Sequence, residues 1–453
     1  MTPVRLDRTS WAATGRPPRI VHVGVGSFSR AHQAWYTAHA DPAGEWGIVA
    51  FTGRNPAVAE VLSRQDGLYT LIERGPREDR LEVVDSICDA RPGSDVDGLI
   101  TVIAAPQTAL VTLTVTEAGY VLGAAGDAIP SVPMRLALAL ASRRDAGAGP
   151  LAIVSCDNVS ANGTKLRELT LAAAEEIGRG VRVWIEDQVS FVSTSVDRIT
   201  PRATVEDRLL VQREIDRTDD APVVCEPFTD WVLCGEFPAG RPRWEDAGAR
   251  FVADVEPWEL RKLWLLNGGH SLLAYLGLLR GHVNVDDAAG DPEVDAALDR
   301  FWEPAQRYLP AGDLDLHTYR RDLKQRFANG RIAYPLAQIA VDGVAKLRNR
   351  VVPVVQASIA AGDSAEPALR VIAAWAQWIG GVTDVAAVDA SAGDLTPILA
   401  CTAGVDRTRA LMELLAPGWG ARDELVEATE RLRIDLTRTA RGGRRPSIEV
   451  HTT

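Results

Sequence analysis

Ile20-Val21-His22-Val23-Gly24-Val25-Gly26-Ser27-Phe28-Ser29-Arg30 is the stretch that decides the fold. A short β-prone run meets two glycines one residue apart, and residues 31–40 then start a helix. Strand, G-x-G turn and helix entrance, in that order near the N-terminus, predict the first unit of a β-α-β fold. The first glycine of such a turn permits a sharp bend. The second lets backbone approach a pyrophosphate at the positive end of a helix dipole. The third fingerprint position is Ser29 rather than glycine, so a purely structural turn stays open beside the nucleotide reading. Gly24, Gly26, Ser27 and Phe28 are the candidate dinucleotide-binding residues. Arg30 reads either as a charge-assisted phosphate contact or as a structural arginine.

Working outward, residues 46–52, 99–104, 110–116 and 151–155 are short apolar runs rich in β-branched residues. Helical stretches at 133–144 and 165–177 separate some of them. Alternation of this kind implies parallel β-α-β units. Past about residue 254 the pattern turns helical, through 256–280, 293–308, 318–328, 335–348, 364–380, 404–415 and 422–440. The expectation is a Rossmann-like, doubly wound α/β domain over 1–253 and a mainly α-helical domain over 254–453. The second strand of a dinucleotide domain ends beside the adenosine ribose, where a carboxylate selects NAD. Here Phe51-Thr52-Gly53-Arg54-Asn55 has none, and Arg54 reads as a contact to a 2′-phosphate or to adenine.

Composition narrows the function classes. The chain has 453 residues, 46% hydrophobic and 24% charged, as expected of a soluble two-domain protein. A net charge of −12 argues against a general nucleic-acid or anionic-membrane surface. The N-terminal residues lack the apolar core of a secretory signal, and no apolar run is long enough to span a bilayer. The five cysteines, Cys88, Cys156, Cys225, Cys234 and Cys401, are scattered, and neither they nor the seven histidines have metal-ligand spacing. A cytoplasmic protein with reduced thiols and no metal site is expected. The arginines of 441–445 read as a solvated tail. Oligomeric state is not legible, and a monomer is compatible.

The chemistry concentrates in Lys262-Leu-Trp-Leu-Leu-Asn267-Gly-Gly-His270. An amine, a carboxamide and an imidazole stand within an otherwise apolar segment. On an α-helix Asn267 lies roughly 140° and His270 roughly 80° around from Lys262, all within one broad face. Lysine in such a setting can take up a proton, while a snorkelling lysine is the blander reading. Three further polar groups follow strand-like runs: Thr114-Val-Thr116-Glu117, Ser155-Cys-Asp157-Asn158, and Asp197-Arg198 before Pro201. In open α/β sheets ligands bind at the carboxyl ends of strands. Asp197 beside Arg198 reads also as a local ion pair.

Taken together, Gly24-x-Gly26-x-Phe28-x-Arg30-Ala-His-Gln-Ala, Gln65-Asp-Gly-Leu-Tyr69, Thr114-Val-Thr-Glu117, Ser155-Cys-Asp-Asn158, Val196-Asp-Arg-Ile-Thr-Pro201, Lys262-x4-Asn267-x2-His270 and Asp342-Gly-x-x-Lys346 resemble the mannitol dehydrogenase family of polyol-specific long-chain dehydrogenases and fructuronate reductases. The resemblance implies a metal-independent oxidoreductase that interconverts a secondary alcohol of an open-chain polyol or aldonate with the 2-keto sugar. It implies Lys262 as general base and Asn158 with Asn267 as the oxyanion hole. His270 would orient hydroxyls, Asp197 would tune the lysine and Glu259 would relay protons. Gln338 and Lys346 would contact the substrate chain. Gly24, Gly26, Ser27, Phe28, Arg30, Arg54, Thr116, Glu117 and Asn158 would line the cofactor, with NAD(H) favoured and NADP(H) open. Gln338 stands where some polyol oxidisers carry arginine, and Ser29 where many members carry histidine. A sugar-phosphate dehydrogenase of the mannitol-1-phosphate type and a non-enzymatic dinucleotide sensor are the alternatives. A short-chain dehydrogenase is disfavoured, since none of the seven tyrosines has a lysine four residues later.

Overall fold

The computed structural model describes residues 4–53, 55–123 and 129–440. Arg54 and the arginines of 441–445 lie outside the described residues. The chain divides into two compact units, Met1–Glu256 and Pro257–Thr453.

The first unit is built on an eight-stranded sheet. Its strands are β1 (Pro18–Val23), β2 (Gly47–Phe51), β5 (Ile87–Arg91), β6 (Leu110–Leu113), β7 (Leu151–Ser155), β8 (Val189–Asp197), β10 (Asp230–Cys234) and β11 (Arg250–Phe251). Their spatial order is β11-β10-β8-β7-β6-β1-β2-β5. Pairing is parallel from β5 through to β8, and β10 is antiparallel to β8. A smaller sheet joins β3 (Tyr69–Arg74), β4 (Asp79–Val84) and β9 (Val223–Cys225). The chain winds one way from β1 to β2 and β5, and the other way from β6 to β7 and β8. Strands β1 and β6 are therefore the neighbours at which the winding reverses, the place where such sheets open a ligand crevice.

Burial explains why the strands read as unbroken apolar runs. Ile20, Ile48, Leu110, Ala152 and Val154 face one core, whereas Val21, Val49, Val111, Leu113 and Ile153 face another. A sheet covered on both faces has no polar side to alternate with. Residues 99–104 correct the expectation of a strand: they lie in the helix Val96–Ala104. Asp95 caps it by accepting from Gly98 N at 2.9 Å, and Leu99 and Ile103, four apart, form its buried stripe. Length and apolarity alone do not separate a short buried strand from a short helix. The acidic cap was the distinguishing signal.

The second unit is helical. A continuous helical run holds Glu256–Arg261, Lys262–Asn267 and Gly268–Arg280. From Gly268 to Gly277 every residue is buried. A helix apolar on all sides belongs at a core centre. It packs against Pro292–Arg307, Leu336–Ala340 and Glu366–Ile379. The predicted helix over 335–348 is two pieces, Leu336–Ala340 and Gly343–Arg350, divided at Asp342 with its φ of 56°. No described helix is long and apolar enough to cross a membrane.

Candidate active site

At the end of β1, Gly24 adopts φ 98° and donates its N–H to Phe51 O at 2.8 Å. A Cβ there would lie 2.2 Å from Thr114 O on the neighbouring β6 connection. Only glycine closes this turn. Gly26 differs: a Cβ placed there would meet nothing nearer than Gly24 O at 3.9 Å. The backbone is thus uncovered where the helical run from Ser27 begins, at the winding reversal. That open, positively polarised backbone fits a pyrophosphate. Ser29 is buried, and its Oγ accepts from Gly26 N at 3.0 Å, which fastens the loop from within. Phe28 stacks on His32 at 5.1 Å.

Arg30 takes the structural option. It is 4% exposed, its Nε donates to Gly26 O at 3.1 Å, and its Nη1 donates to Ala221 O. Tyr69 Oη donates to the Arg30 carbonyl at 2.6 Å. The Gln65-Asp-Gly-Leu-Tyr69 motif therefore braces the loop, with Gln65 Nε2 held by Asp219 at 2.9 Å. Residues Arg30–Ala34 form a π-helical turn, and Arg198 Nη1 donates to the Ala31 carbonyl in it at 2.7 Å. Arg198 also reaches Glu73 at 3.4 Å. Its buried guanidinium thus ties the cofactor helix to the smaller sheet.

His22 is a residue the sequence reading passed over. Its ring bridges Thr112 Oγ1 at 2.8 Å and Thr114 Oγ1 at 3.0 Å, and Thr114 Oγ1 donates to Gly24 O at 2.9 Å. Burial lowers its pKa from 6.5 to about 3, against a smaller opposing pull from the Gly24 backbone. Between those values the unfolded chain binds a proton that the folded one refuses, so stability falls as pH drops from 6.5 towards 3. The expected loss is about 3 kcal/mol at pH ~4.5. Urea midpoints of wild type and His22→Asn across that range test it. The variant should lose close to one proton from the slope, and an unchanged slope would assign the acid sensitivity elsewhere.

The remaining groups of this unit lie on the same sheet edge. Thr116 follows β6 with φ 62° and ψ 172°, a strained conformation for a side-chain-bearing residue. Its N–H donates to Asp157 Oδ1 at 2.7 Å, while Tyr120 Oη donates to Asp157 Oδ2 at 3.0 Å. Burial raises the Asp157 pKa, and those hydrogen bonds oppose the rise. Glu117 is exposed in a 3-10 turn. Asn158 is exposed at the end of β7. Asn162, fully buried, clamps the segment beside it by donating to Asp157 O at 2.9 Å and to Thr194 O at 2.7 Å. Asp197 ends β8, 7% exposed and in register with Asp230 of β10.

In the helical unit, Lys262–Asn267 is a π-helical turn. This revises the angular estimate. In an i→i+5 register, residues five apart sit about one turn from each other, which brings Lys262 and Asn267 to one side instead of roughly 140° apart. Such turns are rare and recur at functional sites. Two side chains from elsewhere hold this one. Trp302 Nε1 donates to Leu265 O at 2.8 Å, and Arg350 Nη1 donates to Asn267 O at 3.3 Å. Gly268 admits the neighbouring helix, since a Cβ there would lie 2.9 Å from the Phe301 ring. Lys262, Asn267 and Glu259 are half-buried. His270 is 7% exposed, with its ring against Phe327 at 4.8 Å and Tyr334 at 5.7 Å.

Gln338 is exposed on Leu336–Ala340. Lys346 Nζ donates to Ile339 O at 3.0 Å. Burial, and then Arg350, lower its pKa from 10.5 to about 8 against the pull of Asp342 and Asp389. Arg350 was missed in the sequence, although its place four residues after Lys346 put it on the same helix face. Among the described residues, no three His, Cys, Asp or Glu side chains gather as a metal site would require.

The mannitol dehydrogenase Rossmann-domain family matches residues 18–246, and the mannitol dehydrogenase C-terminal domain matches 254–400. D-mannonate oxidoreductase of Escherichia coli (strain K12) is 35% identical over 440 residues, 90% of each chain. Mannitol 2-dehydrogenase of Cereibacter sphaeroides is 34% identical over 404 residues, 84% of each chain. The solved mannitol 2-dehydrogenase of Pseudomonas fluorescens, a ternary complex with NAD and D-mannitol, superposes with a TM-score of 0.80 at 33% identity. That match covers 98% of this chain and 97% of the other.

Proposed function

The chain belongs to the mannitol dehydrogenase family, and we propose from that premise that it interconverts a secondary alcohol of an open-chain polyol or aldonate with the corresponding 2-keto sugar. It is an NAD-dependent oxidoreductase acting on CH–OH groups. NAD supplies the hydride acceptor for alcohol oxidation. Gly24, Gly26, Ser27, Phe28, Thr116 and Glu117 would hold it, Arg30 acting by bracing the turn.

The observation that carries the proposal is the π-helical turn that sets Lys262 and Asn267 on one side, ahead of a buried His270. Oxidation needs a group that takes the hydroxyl proton and donors that stabilise the partial oxyanion left behind. Lys262 takes the proton; the carboxamides of Asn158 and Asn267 donate to the oxygen. His270, fixed by Phe327 and Tyr334, orients a neighbouring hydroxyl. Asp197 tunes the lysine electrostatically. Glu259, three residues before Lys262, passes the proton towards solvent. Gln338 and Lys346 hold the far end of the substrate. A non-enzymatic sensor has no need of Lys262, Asn267 and His270 in this register, and the relatives named above do not favour a sugar-phosphate enzyme.

The test is turnover of fructose, fructuronate, tagaturonate and a ketose phosphate with NADH and with NADPH, followed at 340 nm. NADH oxidation with a ketose or ketouronate is expected. Cofactor binding without turnover of any of them would overturn the proposal. The scattered thiols fit a cytoplasmic setting, which cell fractionation tests.

A further inference from the structure

Lys346 and Arg350 stand four residues apart on the helix Gly343–Arg350, a spacing that places side chains together on one face. Among the described residues neither forms an ion pair. Arg350 commits Nη1 to the Asn267 carbonyl and to Ser271 Oγ, both at 3.3 Å. Its Nε and Nη2 meet no acceptor among the described residues. Lys346 has a single carbonyl, Ile339 O at 3.0 Å.

The nearby carboxylates, Asp342 and Asp389, pull on Lys346 electrostatically without forming an ion pair with it, and both accept from backbone. Asp342 Oδ1 accepts from Ala390 N at 3.0 Å. Asp389 accepts from Ser391 N at 2.9 Å and from Val344 N at 3.1 Å. Tyr275 and Tyr334 face Arg350 with neutral phenols, and burial raises the pKa of both. Two partly desolvated cations side by side are unfavourable until an anion reaches them. A guanidinium edge matches the two oxygens of a carboxylate. The position is also right, because Arg350 touches Asn267 and the Tyr334 ring touches His270.

We infer that Arg350, together with Lys346, is the specificity-determining pair that reads a carboxylate on the substrate, so that the chain prefers ketouronates and aldonates over neutral ketoses and polyols. This rests on the dehydrogenase reading above and names the substrate class within it. Gln338 adds a neutral amide, so the charge that selects the anion comes from this helix.

The experiment measures kcat and KM with NADH for fructuronate, fructose and a ketose phosphate, in wild type, Arg350→Gln, Arg350→Lys and Lys346→Gln. Wild type is expected to prefer fructuronate. Arg350→Gln should reduce the fructuronate-to-fructose ratio of kcat/KM by about 100-fold, chiefly through KM, as loss of a charge-assisted contact does. Arg350→Lys should restore part of it. Lys346→Gln leaves the bond to Asn267 in place and should lower the same ratio, which keeps the test alive should Arg350→Gln not fold. Raising the pH through about 8 should raise KM for fructuronate more than for fructose, as the Lys346 amine loses its proton. If the variants slow both substrates equally and the ratio holds, Arg350 only positions Asn267 and the inference falls. A wild-type preference for the ketose phosphate would replace carboxylate by phosphate and overturn it too. Failure of wild type on every substrate would instead reject the dehydrogenase reading.

Discussion

Lys262→Ala is expected to lower kcat by about 10²- to 10⁴-fold, the range for losing a positioned general base. NADH affinity should change by less than about threefold, because the glycine turn and its braces belong to the other compact unit. The reason lies in the proton. An alcohol carbon gives up hydride only as its oxygen gives up a proton, and no other side chain of the π-helical turn Lys262–Asn267 is basic. Lys262→Arg should be nearly as slow, because a guanidinium keeps its proton at any working pH. Small primary amines added to Lys262→Ala should return part of the rate. Steady-state kinetics and NADH fluorescence titration provide the two readouts. Turnover near that of wild type in either variant would remove Lys262 from the role. A parallel loss of NADH binding would point to misfolding.

The second large effect separates two glycines that look alike in the sequence. Gly24→Ala should destabilise the first unit by about 3–5 kcal/mol, combining a left-handed backbone penalty with overpacking. The added Cβ would sit 2.2 Å from Thr114 O and 2.8 Å from Thr114 C. Backing away would break the 2.8 Å bond from Gly24 N to Phe51 O. Gly26→Ala meets no protein atom closer than 3.9 Å, so its stability should stay within about 1 kcal/mol of wild type. Its Cβ instead enters the space beside the uncovered backbone, and NADH affinity should drop at least tenfold. Denaturation midpoints and NADH titration of the pair decide the matter. Equal NADH affinity in Gly26→Ala and wild type would show that the cofactor does not approach this turn.

Much of this was legible because the relevant physics is local. A glycine pair between a β-branched run and a helix entrance marks the first β-α-β unit, whether it serves as a structural turn or as a nucleotide contact. Lys262, Asn267 and His270 were visible as polar residues stranded in an apolar helix. Where residue type pointed to the wrong element or left two readings open, neighbours decided, some adjacent in sequence and some distant. Residues 99–104 carry β-branched side chains, yet the Asp95 cap and a buried Leu99–Ile103 stripe make them helical. Arg30 looked equally suited to phosphate, until its guanidinium was found on Ala221 O. Asp197 was open to a site role or to a pair with Arg198, and Arg198 turns to Ala31 O and Glu73.

The sequence by itself determined the alternating first part and the helical second part, the doubly wound sheet, the glycine turn and the identity of the lysine, asparagine and histidine. These follow from backbone freedom, side-chain branching and the period of burial, which neighbouring residues set among themselves. Only the tertiary structure decided the register of the catalytic helix. A π-helical turn depends on where its displaced carbonyls find donors. Those donors are Trp302 and Arg350, 37 and 83 residues away from the carbonyls they hold. Helical spacing alone sets Arg350 beside Lys346; the packing decides that, among the described residues, neither finds an ion-pair partner.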